Sequence, residues 1–319
     1  MAYRVAILDD YQQAACTFAD WSVLGPEAEI TTFNVPFPDA ATAVSALQGF
    51  EVVCAMRERT PFPREVIARL PALQLLVTTG MRNASIDLSA AAERGVTVCG
   101  TDSAGHPTAE LTFALILELA RQVGRENARM KSGASWQSTI GLDLCGKTLG
   151  IIGLGRLGGR VATVARAFEM RVLAWSQNLT AARCAELGVI HADKSTLLRE
   201  SDFISVHLQL GDRSRGLIGA ADLSLMKPTA FLINTARGPI VDETALVAAL
   251  TERRIAGAGL DVFDVEPLPL DHPFRRLDNV VISPHLGYVT ADNYRTFYSQ
   301  TVEAIRAWRD GTPIRKLTP

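Results

Sequence analysis

Short apolar runs alternate with helix-patterned stretches over almost the whole chain. Residues 4–8, 52–55, 74–77 and 96–99 are short, mostly apolar runs that read as strands buried on both faces of a parallel sheet. Between them, residues 40–47, 64–70 and 88–94 show helical spacing, which makes a βαβ rhythm. A longer apolar stretch opens at Pro107 and runs through Leu119, with Pro107 suited to a first helical turn and Glu110 favourable near the positive end of the helix dipole. Its pattern continues past Arg121 toward Met130 and predicts one long helix, suited to carry the chain between domains or to face another subunit.

A second alternation starts near Thr148. Strands are predicted at residues 148–153, 171–175, 203–206, 230–234, 257–261 and 280–283, the makings of a second doubly wound sheet. Residues 291–309 read as one helix, too far from the last strand to be a crossover in that sheet. It is expected to pack on the first domain, so that residues 1–101 and 290–319 form one domain and 102–289 the other.

Composition narrows the class without changing this outline. A chain of 319 residues fits two domains, and 48% hydrophobic with 21% charged residues is ordinary for a globular protein. A formal net charge of −2 supplies no positive field to gather nucleic acid or an acidic membrane. No apolar run nears the roughly 20 residues of a bilayer span, since even 111–120 is interrupted by Thr112 and Glu118. The N-terminus lacks the basic-then-apolar plan of a signal peptide. Cys16, Cys54, Cys99, Cys145 and Cys184 are scattered and form no CxxC pair, which fits reduced thiols in a cytoplasmic protein and leaves no metal site expected.

The strongest local motif is Gly153-Leu154-Gly155-Arg156-Leu157-Gly158, a GxGxxG between a predicted strand and a predicted helix. In that setting Gly153 permits the tight turn, Gly155 admits a pyrophosphate to the backbone, and Gly158 lets helix and strand pack closely. Arg156 and Leu157 would present amides at a helix N-terminus, where anions are favoured. The next strand should end in an acid for the adenosine ribose, but it ends Trp175-Ser176-Gln177-Asn178. Neutral Ser176 is compatible with NAD or NADP. The lack of a cation between residues 176 and 182 tips the expectation toward NAD, with Arg183 the one nearby group able to reverse it.

Three later strand ends carry reactive side chains: Arg237 after Asn234-Thr235-Ala236, Glu266 in the run from Asp261 to Pro267, and His285 in Pro284-His285-Leu286-Gly287. Ligands gather at the carboxyl ends of strands in open α/β sheets, so the three are expected to converge. Reducing a 2-keto acid needs a proton for the carbonyl oxygen while hydride reaches carbon, a role suited to histidine. A neighbouring carboxylate orients the ring and favours its charged form, and an arginine grips a substrate carboxylate bidentately. His285 is therefore the expected acid/base, Glu266 its partner and Arg237 the substrate clamp.

With these motifs in place, the chain resembles the D-isomer-specific 2-hydroxyacid dehydrogenases, the family of D-3-phosphoglycerate dehydrogenase and glyoxylate/hydroxypyruvate reductase. The likeness rests on 146–150 leading into the glycine loop, Met226-Lys227-Pro228, 234–238, 261–267 and 284–287. It implies an α/β protein with two doubly wound parallel-sheet domains, a Rossmann cofactor domain plus a flavodoxin-like substrate domain. It implies that Asp261 and Thr108 lie near the nicotinamide, that Thr235, Ala236 and Gly287 line the cofactor, and that His207 lies along it. Gly80, Met81 and Arg82 match a loop that meets the substrate carboxylate, although the family usually has a Gly-Val-Asp-like stretch there. Arg82 and Arg57 would either favour a second anionic group on the substrate or serve as solvated loop charges. A homodimer through the helix starting near Pro107 is also implied.

Two rivals remain at this point. The same fold supports formate or phosphite oxidation, though formate dehydrogenases of the family partner the histidine with Gln rather than Glu266. It also supports dinucleotide-sensing corepressors, which the intact triad argues against.

Overall fold

Both sheets of the computed structural model are wholly parallel; it describes residues 2–319. The chain divides into two units, one of residues up to Ala104 together with Val289–Pro319, the other Gly105–Tyr288.

The first unit contains β1 (Tyr3–Ile7), α1 (Ala15–Phe18), β2 (Ala28–Thr32), α2 (Ala40–Ala46), β3 (Val52–Ala55), α3 (Arg64–Ala68), β4 (Leu75–Thr78), α4 (Leu88–Glu93) and β5 (Thr97–Gly100). Its five strands lie in the order β2-β1-β3-β4-β5, so the winding reverses between β1 and β3. Strand β3 is buried at every position, as its unbroken apolar run requires. Asp39 and Asp87 cap α2 and α4 by accepting from Thr42 N and Ala90 N.

The second unit contains α5 (His106–Arg121), α6 (Val123–Lys131), β6 (Thr148–Ile152), α7 (Arg156–Ala167), β7 (Arg171–Trp175), α8 (Ala181–Glu186), β8 (Ile190–His191), α9 (Lys194–Glu200), β9 (Phe203–Val206), α10 (Ala220–Leu223), β10 (Phe231–Asn234), α11 (Glu243–Thr251), β11 (Gly257–Leu260) and β12 (Val280–Ile282). Strand order is β12-β11-β10-β9-β6-β7-β8, with the reversal between β6 and β9. Successive strand residues serve opposite cores: Ile152, Ile204 and Leu232 pack with the α9–α11 side, while Ile151, Phe203 and Ile233 pack with α5 and α7. Crevices outside the carboxyl ends of such reversals are where ligands bind.

α12 (Ala291–Arg309) belongs to the first unit, where Tyr294, Phe297, Tyr298 and Ile305 are buried and the Tyr298 hydroxyl donates to Asp10 Oδ1 at 3.3 Å. The expected α/β class with two doubly wound parallel sheets holds. Two points of the sequence reading need correction. The single long helix from Pro107 is interrupted at Gln122, which takes a left-handed conformation (φ 51°, ψ 38°), closes α5 and starts α6 in a new direction. Strands β2 and β8 escaped the sequence pattern: both are sheet edges, β2 alternating half-buried and exposed residues and β8 exposed at both. Among the described residues no helix is long and apolar enough to cross a membrane.

Candidate active site

Strand β6 delivers the chain into the glycine loop. Gly153 has φ +103°, a conformation side chains rarely adopt, and its amide donates to Trp175 O at 2.8 Å. A Cβ on Gly158 would lie 2.1 Å from Gly153 O, so loop and helix close on each other only without one. Gly155 is different: a Cβ there would meet nothing within 4 Å. It lies exposed at the start of α7, whose first residues Arg156 and Leu157 put free amides beside that open space. At the end of β9, His207 shares a 2.8 Å hydrogen bond with Ser205 Oγ through Nε2, while its buried Nδ1 has no partner among the described residues. Burial pushes this imidazole down to about 4, so it is neutral near pH 7. Ser176 is half-buried beyond β7, and Arg183 is already paired with Glu186 at 2.6 Å within α8. An open backbone cradle, a helix N-terminus and an unmatched imidazole nitrogen together fit a nicotinamide dinucleotide.

Reactive groups gather at the ends of β10, β11 and β12. Asn234 closes β10 with its side chain turned back: Oδ1 accepts from Ala236 N at 3.0 Å and Nδ2 donates to Arg237 O at 2.9 Å. Thr235 is buried with its hydroxyl 3.0 Å from Thr112 Oγ1. The half-buried Arg237 donates through Nη1 to Ala236 O at 2.7 Å. Beyond β11 the chain turns sharply, and Phe263 N donates to Glu266 Oε1 at 3.0 Å. The other oxygen, Glu266 Oε2, lies 2.6 Å from His285 Nδ1. With Nδ1 so engaged, Nε2 is the imidazole nitrogen left to exchange a proton. Burial alone would raise the Glu266 carboxyl, but the hydrogen bond and charge of His285, aided by Phe263 N–H and Arg237, hold it below the ordinary range.

His285 has φ +53°, uncommon for a residue with a side chain and found where the surroundings over-determine the backbone. Asp261 does much of that: it accepts from Ser283 Oγ at 2.6 Å, Leu286 N at 2.7 Å and Gly287 N at 2.8 Å. Burial nonetheless leaves the Asp261 carboxyl above its usual range. Thr108, near the start of α5, donates to Gly287 O at 2.8 Å. Asp261, Thr108 and Gly287 thus brace the turn that presents His285. The Tyr288 ring meets the imidazole edge-on, with centroids 5.6 Å apart.

The first unit brings Arg57 and Gly80 together. Arg57 N donates to Thr79 Oγ1 at 2.9 Å and Arg57 Nη1 to Thr79 O at 3.0 Å. Gly80 has φ +93°, and a Cβ there would lie 1.9 Å from Arg57 Nη1. Its amide is held by Thr101 Oγ1 at 2.9 Å. Met81 and Arg82 are exposed. Among the described residues no group of His, Cys, Asp and Glu is arranged to hold a metal ion.

Sequence reasoning gave no role to Asn234, Ser283, Gly238 or Tyr288. Asn234 offered one signal, an Asx-type turn former at a strand end. Gly238 is required because a Cβ there would lie 2.1 Å from the Phe263 carbonyl carbon, a contact made across sequence that no local pattern announces.

This is the layout of a dinucleotide-dependent oxidoreductase, and comparison with known proteins narrows it. A sequence model of the D-isomer specific 2-hydroxyacid dehydrogenase NAD binding domain matches residues 113–287. The chain is 39% identical over 256 residues to the glyoxylate reductase of Aeropyrum pernix, covering 77% of this chain and 76% of that protein. It is 36% identical over 258 residues to the D-3-phosphoglycerate dehydrogenase of Methanocaldococcus jannaschii, covering 80% of this chain and 49% of that protein. A phosphoglycerate oxidoreductase structure from Vibrio cholerae superposes with a TM-score of 0.92 at 33% identity, over 97% of this chain and 99% of that one. The D-lactate dehydrogenase of Aquifex aeolicus, solved with NAD and lactic acid, gives 0.79 at 28% identity, over 97% and 96%. The chain belongs to the D-isomer specific 2-hydroxyacid dehydrogenases. It is a nicotinamide-dinucleotide-linked oxidoreductase acting on the CH–OH group of 2-hydroxy acids.

Proposed function

We propose that Arg237, Glu266 and His285 carry out the chemistry and that the second unit binds the dinucleotide. The observation that carries this reading is the 2.6 Å contact between Glu266 Oε2 and His285 Nδ1 on a turn braced by Asp261. Gly153, Gly155, Arg156, Leu157 and Gly158 would hold the pyrophosphate, with Ser176 at the ribose and His207, Thr235, Ala236, Asp261, Gly287 and Thr108 along the rest of the molecule. When bound, the dinucleotide supplies or accepts the hydride.

The chain's own residues do the remaining work. Protonated His285 gives the proton on Nε2 to the substrate's carbonyl oxygen, and takes it back from the hydroxyl in the reverse direction. Glu266 stays ionised and holds the ring so that Nε2 faces outward; proton transfer of this kind contributes about 10²–10⁴ in rate. Arg237 binds the substrate carboxylate and polarises the adjacent carbonyl.

NAD is the cofactor this reading favours over NADP, because Ser176, Gln177 and Asn178 bring no positive charge and Arg183 is engaged by Glu186. The first unit is assigned to the substrate, with Arg57, Gly80, Met81 and Arg82 selecting its anionic groups. A small 2-keto acid of the glyoxylate, hydroxypyruvate or phosphohydroxypyruvate kind is the proposed substrate, and the cytoplasm the proposed compartment. The homodimer is supported by apolar side chains on and after α6 that the unit leaves uncovered: Val123, Met130, Trp136 and Ile140 are 63%, 47%, 68% and 96% exposed.

Steady-state reduction of glyoxylate, hydroxypyruvate and 3-phosphohydroxypyruvate with NADH and with NADPH tests the assignment. Turnover of at least one acid, faster with NADH, is expected. No oxidation of either cofactor with any of the three would overturn it.

A further inference from the structure

A second His–Glu pair ties the start of a helix to the loop that carries Glu266, and the reaction as assigned does not use it. Glu243, at the start of α11, accepts from Asp264 N through Oε2 at 3.2 Å. Its other oxygen lies 3.0 Å from His272 Nε2. His272 Nδ1 in turn accepts from Phe274 N at 3.2 Å, so the neutral ring carries its hydrogen on Nε2 and donates it to Glu243. The pair is as sheltered as the catalytic one, with side chains 15% and 22% exposed against 18% and 31%. The His272 ring also lies 4.7 Å from the buried Phe274 ring, which is 6.3 Å from Phe263.

Adjacent amides of one loop are therefore divided between two carboxylates. Phe263 N–H holds Glu266, and Asp264 N–H is held by Glu243. Gly238, the neighbour of Arg237, presses on the same peptide so closely that it tolerates no Cβ. The neighbourhood is already anionic: burial and Glu243, with Asp242, raise the Asp264 carboxyl, and Arg215 only partly offsets them. A third carboxylate there has no use as a free charge; its use lies in its two acceptor oxygens.

We propose that Glu243 and His272 are positioning residues that fix the 263–266 turn and thereby keep the Glu266 carboxylate in register with His285. The proposal rests on the assignment of Glu266 and His285 made above. The competing role for His272 is local, as cap of the 3-10 turn Pro273–Arg275 through Nδ1. Two substitutions separate the roles. In His272→Asn the amide oxygen replaces Nδ1 and keeps the cap but cannot reach Glu243. In His272→Gln the amide NH₂ replaces Nε2 and keeps the donor to Glu243 but loses the cap.

The experiment measures glyoxylate reduction by NADH, with pH profiles and thermal melts. In His272→Asn, kcat falls roughly tenfold, about the loss of one charged hydrogen bond, and the KM for NADH is unchanged. The acid limb of kcat/KM moves to higher pH, because a Glu266 that strays from His285 loses what holds its carboxyl down. His272→Gln stays within about threefold of wild type. Glu243→Gln, which keeps one acceptor oxygen, moves kcat and the acid limb in the same direction as His272→Asn and serves if the histidine variants melt too low to assay. The opposite order of the two histidine variants, or wild-type profiles in His272→Asn and Glu243→Gln, overturns the proposal. Glu266→Gln and His285→Ala run alongside. If both keep wild-type turnover, the catalytic assignment fails and this inference with it; if they lose turnover while His272→Asn does not, only this inference fails.

Discussion

The Ser283 hydroxyl donates to Asp261 Oδ1 at 2.6 Å, tying the end of β12 to the end of β11 just ahead of His285. Asp261 is thus the anchor for three donors, two of them amides of the residues that follow His285. Asp261→Asn offers one acceptor oxygen and places an NH₂ against an amide. It is expected to lower kcat about 100-fold, the equivalent of two lost charged hydrogen bonds, whereas Ser283→Ala loses no more than about tenfold. Steady-state rates on folded variants decide it. Wild-type turnover in Asp261→Asn would mean that the turn holds His285 without its carboxylate.

The glycine loop yields a paired prediction. Gly158→Ala drives a methyl to 2.1 Å from Gly153 O and is expected to lower stability by about 1–3 kcal/mol, read as a fall in Tm. Gly155→Ala meets nothing within 4 Å, so Tm should hold while the Kd for NADH rises at least tenfold. Calorimetric titration and melting distinguish the two. Unchanged NADH affinity in Gly155→Ala would show that no phosphate approaches that backbone.

How much of this was legible beforehand varied with the physics. Strands buried on both faces, such as β3 and β6, announced themselves as unbroken apolar runs, and the glycine loop did so because turn, cradle and close packing each need a missing side chain at fixed spacing. Arg237, Glu266 and His285 were readable because each follows a recognisable strand. Edge strand β2 was not, since one neighbour demands little apolar surface. The break at Gln122 was hidden because a non-glycine residue takes the left-handed position. Contacts such as Asp261–Ser283 and Glu243–His272 depend on which strand ends become neighbours, which sequence spacing alone does not state.

His207 predicts a pH dependence of stability. The unfolded chain takes up a proton on this ring as pH falls through about 6.5, the folded chain only near 4. Its contribution to stability is therefore complete above pH 6.5 and is lost as pH falls toward 4. Between pH 7 and 5 the wild-type Tm should fall more steeply than that of His207→Gln. Parallel curves would show that the ring is not held neutral.

Cofactor choice depends on the residue after β7. Ser176→Asp places a carboxylate where an adenosine 2′-phosphate would sit, so kcat/KM with NADPH should fall at least tenfold relative to NADH. A preference that does not move would place Ser176 away from the ribose.

If His285, held by Glu266, carries the proton, its removal must cost turnover and spare the cofactor. The decisive assay is glyoxylate turnover by His285→Ala, with NADH affinity measured on the same sample. A fall of about 10²–10⁴ in kcat with NADH binding retained is expected. Turnover within a few-fold of wild type would contradict the assignment.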